Sequence, residues 1–249
     1  MLEITAYLWD NYSIFAKGKK GMIRTILFDL DDTLLDFKAS EAEALRYTLK
    51  TLGLEPTDEI VKRYSVINQA QWELLEKKEL TRQQVLVRRF EILFQEYGID
   101  CEAQTAQDMY HHRLSQGHYF IDGAIALLEN LCKKYDLYVV SNGTGVVQDG
   151  RIKSAGIAHY FKDIFISERM GADKPDPVFF ENCFKRIPGF KKEEAVIIGD
   201  SLTSDIRGGN RVCLRTVWFN PRHLPGKEGV FPDYEIAALA EIPALMERL

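Results

Sequence analysis

Short runs of apolar and β-branched residues predict a set of buried strands along the chain. The first run lies at residues 23–30, and it has no similar neighbour until residue 137. From residue 120 onward, such runs alternate with helical patterns. The predicted strands are at residues 137–140, 163–166, 195–198, 216–219 and 234–236, and the predicted helices at residues 124–134, 146–155, 177–186, 204–212 and 236–248. Alternation of this kind is typical of a parallel α/β sheet with helices on both faces.

The segment between the first and second strands has a helical pattern instead. Ala42, Leu45, Leu49 and Leu52 recur at steps of three and four residues before Gly53, as on the buried face of a helix. Three more helices are predicted, after Thr57, at residues 81–97 and at residues 103–115. We therefore expect an N-terminal extension at residues 1–21 and a Rossmann-like α/β core at residues 22–39 and 118–249. An all-helical cap at residues 40–117 would interrupt this core.

The composition excludes several classes of protein. Hydrophobic residues make up 46% and charged residues 28% of the chain, as in soluble globular proteins. The net charge of −5 argues against binding of a nucleic-acid polymer, which favours a basic surface. No apolar run approaches the ~18 residues that a membrane span requires, and the four cysteines form no close pair. We expect a cytoplasmic protein, and an anionic substrate would then require a local positive site such as a bound divalent metal.

Acidic residues follow the first strand in the pattern Asp29-Leu-Asp31-Asp-Thr33. Residues two apart on a strand point to the same side, so Asp29 and Asp31 can face one pocket. One carboxylate can act as a nucleophile while a second donates and accepts protons. A pair of this kind on its own is more typical of a turn or a helix cap, so the catalytic interpretation depends on the rest of the chain.

Three later fragments supply that support. Ser141-Asn142 ends a strand and precedes a glycine-containing turn and a helix, where backbone N–H groups bind anions. Lys174, in a Lys-Pro-Asp-Pro context, can neutralise a phosphoryl group. Asp200 follows another strand and offers the oxygen ligand that Mg²⁺ prefers. Asp205 either orients Lys174 or a metal-bound water, or only favours a helix N-terminus.

Taken together and in this order, the four fragments resemble the active site of haloacid dehalogenase (HAD) superfamily phosphatases. The resemblance implies the HAD fold with an inserted helical cap, and hydrolysis of a small phosphate ester. Asp29 would then be the nucleophile that forms an aspartyl-phosphate, and Asp31 the general acid and base. The implied phosphate-binding residues are Thr33, Ser141, Asn142 and Lys174, and the implied Mg²⁺ ligands are Asp29, the backbone carbonyl of Asp31, and Asp200, with Asp205 supporting them.

A narrower resemblance is to bacterial pyrimidine 5′-nucleotidases. It is carried by Asn68-Gln-Ala-Gln-Trp72, by the spacing from there to Arg88-Arg89-Phe90, and by Trp218-Phe-Asn220. It implies a nucleoside monophosphate substrate, contacted in the cap by Phe37, Asn68, Trp72 and Arg88. The alternative is that these residues have no role in binding: the aromatic side chains would pack within the cap, and the arginine would be solvated.

Other functions stay open at this point. A sugar-phosphate phosphatase, such as an N-acetylneuraminate-phosphate phosphatase, shares part of the pattern. A phosphomutase uses the same pair of aspartates, and a non-enzymatic binding module would not need them. Asp31 counts against a dehalogenase, because cleavage of a carbon–halogen bond leaves no alkoxide to protonate. The sequence is compatible with a monomer or a homodimer.

Overall fold

The computed structural model describes residues 22–249, so the predicted N-terminal extension at residues 1–21 lies outside the described part of the chain. Six strands form one parallel sheet in the order β3-β2-β1-β4-β5-β6. They are β1 (Thr25–Phe28), β2 (Asp136–Ser141), β3 (Asp163–Ile166), β4 (Ala195–Gly199), β5 (Arg215–Phe219) and β6 (Tyr234–Ile236). All five strand pairs are parallel, which confirms the predicted sheet. The strands carry apolar side chains on both faces, as is typical of parallel strands.

The site is positioned by the order of the strands. Strand β1 pairs with β2 on one side and with β4 on the other, so Leu27 lies level with both Tyr138 and Ile197. Strands β2 and β3 thus extend the sheet on one side of β1, and β4, β5 and β6 extend it on the other, so the strand order reverses at β1. Ligands of open α/β sheets bind at such a switch point, beside the carboxyl ends of the strands.

Two hydrophobic clusters cover the faces of the sheet. On one face, Ile26, Phe28 and Val139 pack among residues of two core helices, α5 (Ala124–Leu131) and α10 (Ile242–Met246). On the other face, Leu27 and Val140 pack with residues of α8 (Pro177–Phe184). The remaining core helices are α6 (Gly145–Ala155), α7 (Ser167–Met170) and α9 (Arg207–Arg211). The sheet is therefore buried on both faces.

Two predicted helices differ in form. The segment predicted as a helix at residues 204–212 is a π-helical turn, Leu202–Ile206, followed by the short α9. The wider turn brings Asp205 so close to β4 that a Cβ on Gly199 would lie 2.2 Å from its carboxylate. The segment predicted at residues 236–248 is the end of β6, a 3₁₀ turn and α10, whose first turn contains Pro243. Proline is common in the first turn of a helix, where a backbone N–H has no hydrogen-bond partner within the helix.

Four helices form the cap: α1 (Phe37–Thr51), α2 (Asp58–Glu76), α3 (Arg82–Tyr97) and α4 (Ala103–Leu114). Helix α1 begins at Phe37, before the predicted boundary at residue 40, because the Asp36 carboxylate accepts a hydrogen bond from the Ala39 N–H at 2.8 Å. Asp32, to which the sequence assigned no role, adds to this start. It has a left-handed φ of 58° and accepts from the Phe37 N–H at 3.0 Å.

The cap has a hydrophobic core of its own. Leu45, Tyr64, Phe90 and Tyr110, one from each of the four cap helices, are all fully buried in it. The cap rejoins the core beside the point where it leaves, since the Asp36 N–H donates to the Tyr119 carbonyl at 2.9 Å. No helix among residues 22–249 is both long and apolar enough to cross a membrane.

Candidate active site

A cavity of about 220 Å³ lies between the carboxyl ends of the strands and the cap helices. Most of the predicted site residues line it. From the core these are Asp29, Asp31, Ser141, Asn142, Lys174, Asp200 and Asp205, and from the cap Phe37 and Trp72. Residues from all four predicted fragments therefore meet at one place, although they are far apart in the sequence.

Lys174 is the centre of the polar network. Its side chain is buried, and its ammonium donates three hydrogen bonds of 2.7 Å, to Asp29 Oδ1, to Asp205 Oδ1 and to the Val140 carbonyl. Burial alone would lower the pKa of Lys174, but the charges of Asp205 and Asp29 outweigh burial and raise it. The lysine is thus a fixed positive charge, and it leaves the second carboxylate oxygen of Asp29 free.

Around Lys174, negatively charged groups outnumber positively charged ones. Asp29, Asp200 and Asp205 can bring carboxylate oxygens within 4.8 Å of one another. Burial, reinforced by the neighbouring carboxylates, raises the pKa of Asp29 to about 7 against the opposing charge of Lys174. Burial and the charges of Asp29 and Asp205 likewise raise the pKa of Asp200 well above its usual range. Three carboxylates beside one lysine, two of them buried and Asp200 partly buried, fit a divalent cation, which would supply the missing positive charge.

Thr33 and Trp218 hold the loop that carries Asp200. The Asp200 N–H donates to Thr33 Oγ1 at 3.1 Å, and Trp218 Nε1 donates to the Asp200 carbonyl at 2.8 Å. Thr33, which was predicted to bind phosphate, does not line the cavity, since its side chain is fully buried and its hydroxyl faces the loop. The threonine thus holds the loop that carries Asp200.

The turn after β2 is joined to the lysine loop by a reciprocal pair of hydrogen bonds. Asn142 Nδ2 donates to the Lys174 carbonyl, and the Lys174 N–H donates to Asn142 Oδ1, both at 2.8 Å. The Asn142 side chain is therefore occupied, and its backbone N–H remains for an anion. Gly143 follows, and a Cβ there would lie 2.5 Å from the Gln148 side chain, so a larger residue would displace Gln148.

Asp31 is held by helix α6, a contact that the sequence did not predict. Gln148 Nε2 donates to Asp31 Oδ2 at 2.7 Å, and Arg151 forms an ion pair with Asp31 Oδ1. Gln148 also donates to Ser141 Oγ at 2.7 Å. Polar residues on the buried face of α6, which follows the predicted anion site, were the only sequence signal for this role.

In the cap, two of the predicted substrate contacts, Asn68 and Arg88, do not line the cavity. Arg88 is exposed and does not line the cavity, because its position on α3 faces solvent. Its neighbour Arg89 is buried and does line it. Asn68 is also buried behind the cavity wall, where its Oδ1 accepts from Arg89 at 2.7 Å and from Trp72 Nε1 at 3.0 Å.

His111 and Glu76 line the cavity without having been predicted. Burial, with the charge of Arg89, lowers the pKa of His111 to about 3, so this imidazole is neutral. Burial raises the pKa of Glu76. The sequence gives no sign of this placement, because no acidic residue lies at a useful spacing from His111 and its neighbour Arg89 lies on a different helix.

The comparisons with known proteins agree with this geometry. The family model for haloacid dehalogenase-like hydrolases matches residues 26–219. The HAD-hydrolase YfnB of Bacillus subtilis is 42% identical over 88% of this chain and 93% of its own length. The pyrimidine 5′-nucleotidase PynA of Streptococcus pneumoniae is 38% identical over 87% of this chain and 92% of its own.

A crystal structure of Bacillus subtilis YfnB bound to magnesium superposes on this fold with a TM-score of 0.87. It shares 41% identity and covers 91% of this chain and 99% of its own. The match extends over both the core and the cap helices, because it covers nearly all of the described residues. The chain therefore belongs to the haloacid dehalogenase-like hydrolases.

Proposed function

We propose that the protein is a Mg²⁺-dependent phosphomonoester hydrolase that acts through a phosphorylated Asp29. The observation that carries this proposal is the position of Asp29. Its carboxylate is fixed by Lys174 at 2.7 Å, beside an anion-binding turn and beside a second carboxylate, Asp31, held by another helix. A dehalogenase would have no use for that second carboxylate.

The phosphoryl group would bind between the Ser141 hydroxyl and the Asn142 backbone N–H. The Lys174 ammonium, whose three N–H groups already donate to protein acceptors, would contribute its positive charge nearby. Hydrogen-bond donors fixed in advance stabilise the charge that develops on the phosphoryl oxygens. The network of Lys174 and Asn142 fixes them here. These groups would contact only the phosphate and not the rest of the ester.

The free carboxylate oxygen of Asp29 would attack phosphorus, while the bond from phosphorus to the ester oxygen breaks. Asp31 donates its proton to that oxygen, so an alcohol leaves and Asp29 carries the phosphoryl group. The ionised Asp31 then accepts a proton from a water molecule, whose oxygen attacks the same phosphorus. Asp29 and inorganic phosphate are released, and Asp31 is protonated again. Gln148 and Arg151 would hold Asp31 in place for both proton transfers.

Asp29, the backbone carbonyl of Asp31, and Asp200 would hold the Mg²⁺ ion. A bound Mg²⁺ offsets the charge of the carboxylates and of the phosphate and orients the phosphate. Two findings support this assignment: the excess of carboxylates around Lys174 and the magnesium bound by the relative from Bacillus subtilis.

For the substrate we propose pyrimidine nucleoside monophosphates. The relative from Streptococcus pneumoniae is a pyrimidine 5′-nucleotidase, and the cap side of the cavity fits a base. Phe37 and Trp72 offer aromatic faces for stacking, and the neutral His111 and the charged Arg89 offer polar groups for the base edge. The volume of about 220 Å³ is below the ~300–1,000 Å³ of most small-molecule sites, so the cavity would have to widen to hold a nucleotide.

Entry of a nucleotide would require the cap to move. Residues 36–39 and 116–119 are the two connections between cap and core, and they run side by side. The magnesium-bound relative shows interdomain movement, and we propose that the cap of this protein turns about these connections to admit substrate and exclude water.

The test is phosphate release from uridine, thymidine and adenosine monophosphates, hexose phosphates and sialic acid 9-phosphate, with Mg²⁺ or with excess chelator. We expect the pyrimidine nucleotides to be hydrolysed best and only with metal, and Asp29→Asn to be inactive but folded. A sugar phosphate ahead by tenfold in kcat/KM, about 1.4 kcal/mol, would overturn the substrate class alone. Full activity in chelator, or in Asp29→Asn, would overturn the mechanism.

A further inference from the structure

Arg82, the first residue of cap helix α3, reaches across to the core. Its Nη1 donates to the carbonyls of Asn142 and Gly143, both at 2.9 Å, and its Nη2 donates to Ser167 Oγ at 2.6 Å. It also forms an ion pair with Asp173. The guanidinium thus has four acceptors on three separate segments of the core, and its side chain is only 15% exposed.

The two carbonyls belong to the turn that we propose binds phosphate. In a trans peptide the C=O and the N–H point in opposite directions. Carbonyls directed at Arg82 therefore direct the N–H groups of Gly143 and Thr144 the other way. The Gly143 N–H indeed points to Ser141 Oγ, at 3.3 Å, inside the site. A cap residue thus fixes the orientation of the two peptide groups that follow the Asn142 N–H, one of which donates to Ser141, the other proposed phosphate ligand.

The fourth partner connects the cap to the catalytic lysine. Asp173 directly precedes Lys174 in the chain, and the Lys174 ammonium holds both Asp29 and Asp205. A second cap cation, Lys78, pairs with Asp176 of the same loop at 2.7 Å, but its side chain is 78% exposed. Exposed pairs contribute little, so Arg82 is the principal polar contact between this loop and the cap.

Arg82 is not placed to read the substrate. It does not line the cavity, and both of its terminal nitrogens already donate to protein acceptors. Its contact on the cap side is with the Trp72 ring, 5.4 Å from the guanidinium carbon to the ring centroid. An effect of Arg82 on catalysis must therefore act through the turn, through the lysine loop or through the position of the cap.

We infer that Arg82 is a positioning residue that couples docking of the cap to the geometry of the phosphate-binding turn. When the cap rests on the core, Arg82 orders the turn at residues 142–144 and the loop carrying Lys174. When the cap lifts, both lose that support. The contribution of Arg82 to catalysis is therefore the same for every phosphate ester, whatever its leaving group. This inference rests on the proposed phosphatase function but not on the choice of nucleotide.

The test compares Arg82→Ala with Arg88→Ala, a matched control because Arg88 lies on the same helix, is exposed and is outside the cavity. Both variants are assayed with p-nitrophenyl phosphate and with uridine monophosphate. We expect Arg82→Ala to lose about 10- to 100-fold in kcat/KM, as for truncation of a largely buried charged donor, and by the same factor for both substrates. Arg88→Ala should stay within about twofold of wild type.

A loss confined to uridine monophosphate would make Arg82 a substrate contact and overturn the inference. So would activity of Arg82→Ala equal to that of Arg88→Ala. Arg82→Lys, which keeps the charge but not the fork of donors, should recover less than half of the lost free energy. Asp173→Asn tests the same contact from the core side. In the double variant, its loss of kcat/KM should not add to that of Arg82→Ala, because the two residues share one contact.

The position of the cap provides a readout that does not depend on turnover. With Mg²⁺ and orthovanadate present, small-angle X-ray scattering should give a larger radius of gyration for Arg82→Ala than for wild type and Arg88→Ala. Equal radii in all three proteins would contradict the coupling. If wild type released phosphate from neither substrate, the proposed function would fail, while the scattering comparison would still decide the role of Arg82.

Discussion

Burial raises the pKa of Asp29 and Asp200 more than the charge of any single neighbour does. An acid with a raised pKa holds its proton more tightly in the folded than in the unfolded state. Its contribution to stability is therefore present at low pH and lost as pH rises, for Asp29 between its ordinary value of 3.8 and about 7. A metal ion that binds the ionised carboxylates restores this loss.

We therefore predict that Mg²⁺ stabilises the protein more at pH 8 than at pH 5. At a concentration 100-fold above its Kd, Mg²⁺ should raise Tm by about 5–10 °C at pH 8, from ~2.7 kcal/mol of binding. The increase should be smaller at pH 5, where protons compete for the same carboxylates. Thermal unfolding followed by circular dichroism measures both values.

The control for this prediction is Asp200→Asn, which removes one ligand and one negative charge. It should be at least as stable as wild type at pH 8 without metal, and it should lose most of the response to Mg²⁺. The variant also separates the effect from that of His111, whose lowered pKa acts in the opposite direction, since its stabilisation grows as pH rises above about 3. Equal Mg²⁺ responses at the two pH values would contradict the prediction.

The second prediction at this scale concerns Asp31 as a proton donor. Asp31→Asn should lower kcat by about 10²–10⁴-fold for an alkyl phosphate, because positioned general acids contribute that much. The loss should be clearly smaller for p-nitrophenyl phosphate, whose leaving group needs no proton. Asp32→Asn is the matched control. It keeps an acceptor for the Phe37 N–H and a residue that tolerates the left-handed φ, so its activity should stay near that of wild type.

At the scale of elements, the strands were predictable because each is an apolar run that the sheet buries on both faces. The core site was predictable for a related reason: Asp29, Ser141 and Asp200 end or follow such runs, and parallel strands bring those ends together. The contacts of Arg82, Gln148 and Arg151 were not predictable. Their partners lie 60, 117 and 120 positions away along the chain, and no local pattern encodes a pairing of that range.

The backbone carries a conformational cost just after the end of α9. Cys213 lies there with a left-handed φ of 59°, a conformation that favours glycine. A residue with a Cβ pays ~1–2 kcal/mol for this conformation. Glycine would remove that cost while adding ~0.5–1 kcal/mol of unfolded-state entropy.

We predict that Cys213→Gly stabilises the protein by about 0.5–1 kcal/mol, the difference between these two effects. Cys213→Ala keeps the Cβ and should not do so, which makes it the control for loss of the exposed thiol. Chemical denaturation with the same slope for all three proteins is the measurement. Equal stabilisation by alanine and glycine would show that the thiol, and not the backbone, is responsible.

At the scale of the whole molecule, the two parts divide the work. In the proposed mechanism, residues of the core bind phosphate and metal, whereas the wall facing the leaving group comes from the cap, with Phe37, Trp72 and His111 on α1, α2 and α4. Substitutions in the core and at Arg82 should therefore change the rate for every ester. Substitutions of the cap wall should change the ranking of esters.

Trp72 provides the sharpest case of this division. Stacking of a base on an aromatic side chain contributes ~1–3 kcal/mol, so Trp72→Ala should lower kcat/KM for uridine monophosphate by about 5- to 150-fold. Acetyl phosphate has no ring to stack and should lose much less. Trp72→Phe keeps a stacking face but loses the Nε1 hydrogen bond to Asn68, 3.0 Å long, so it should retain most of the nucleotide activity.

An equal loss for both substrates in Trp72→Ala would mean that Trp72 acts by supporting Arg82, whose guanidinium lies on its ring, and not by binding the base. The cap would then select substrates through other residues, of which Phe37 and His111 are the next to vary.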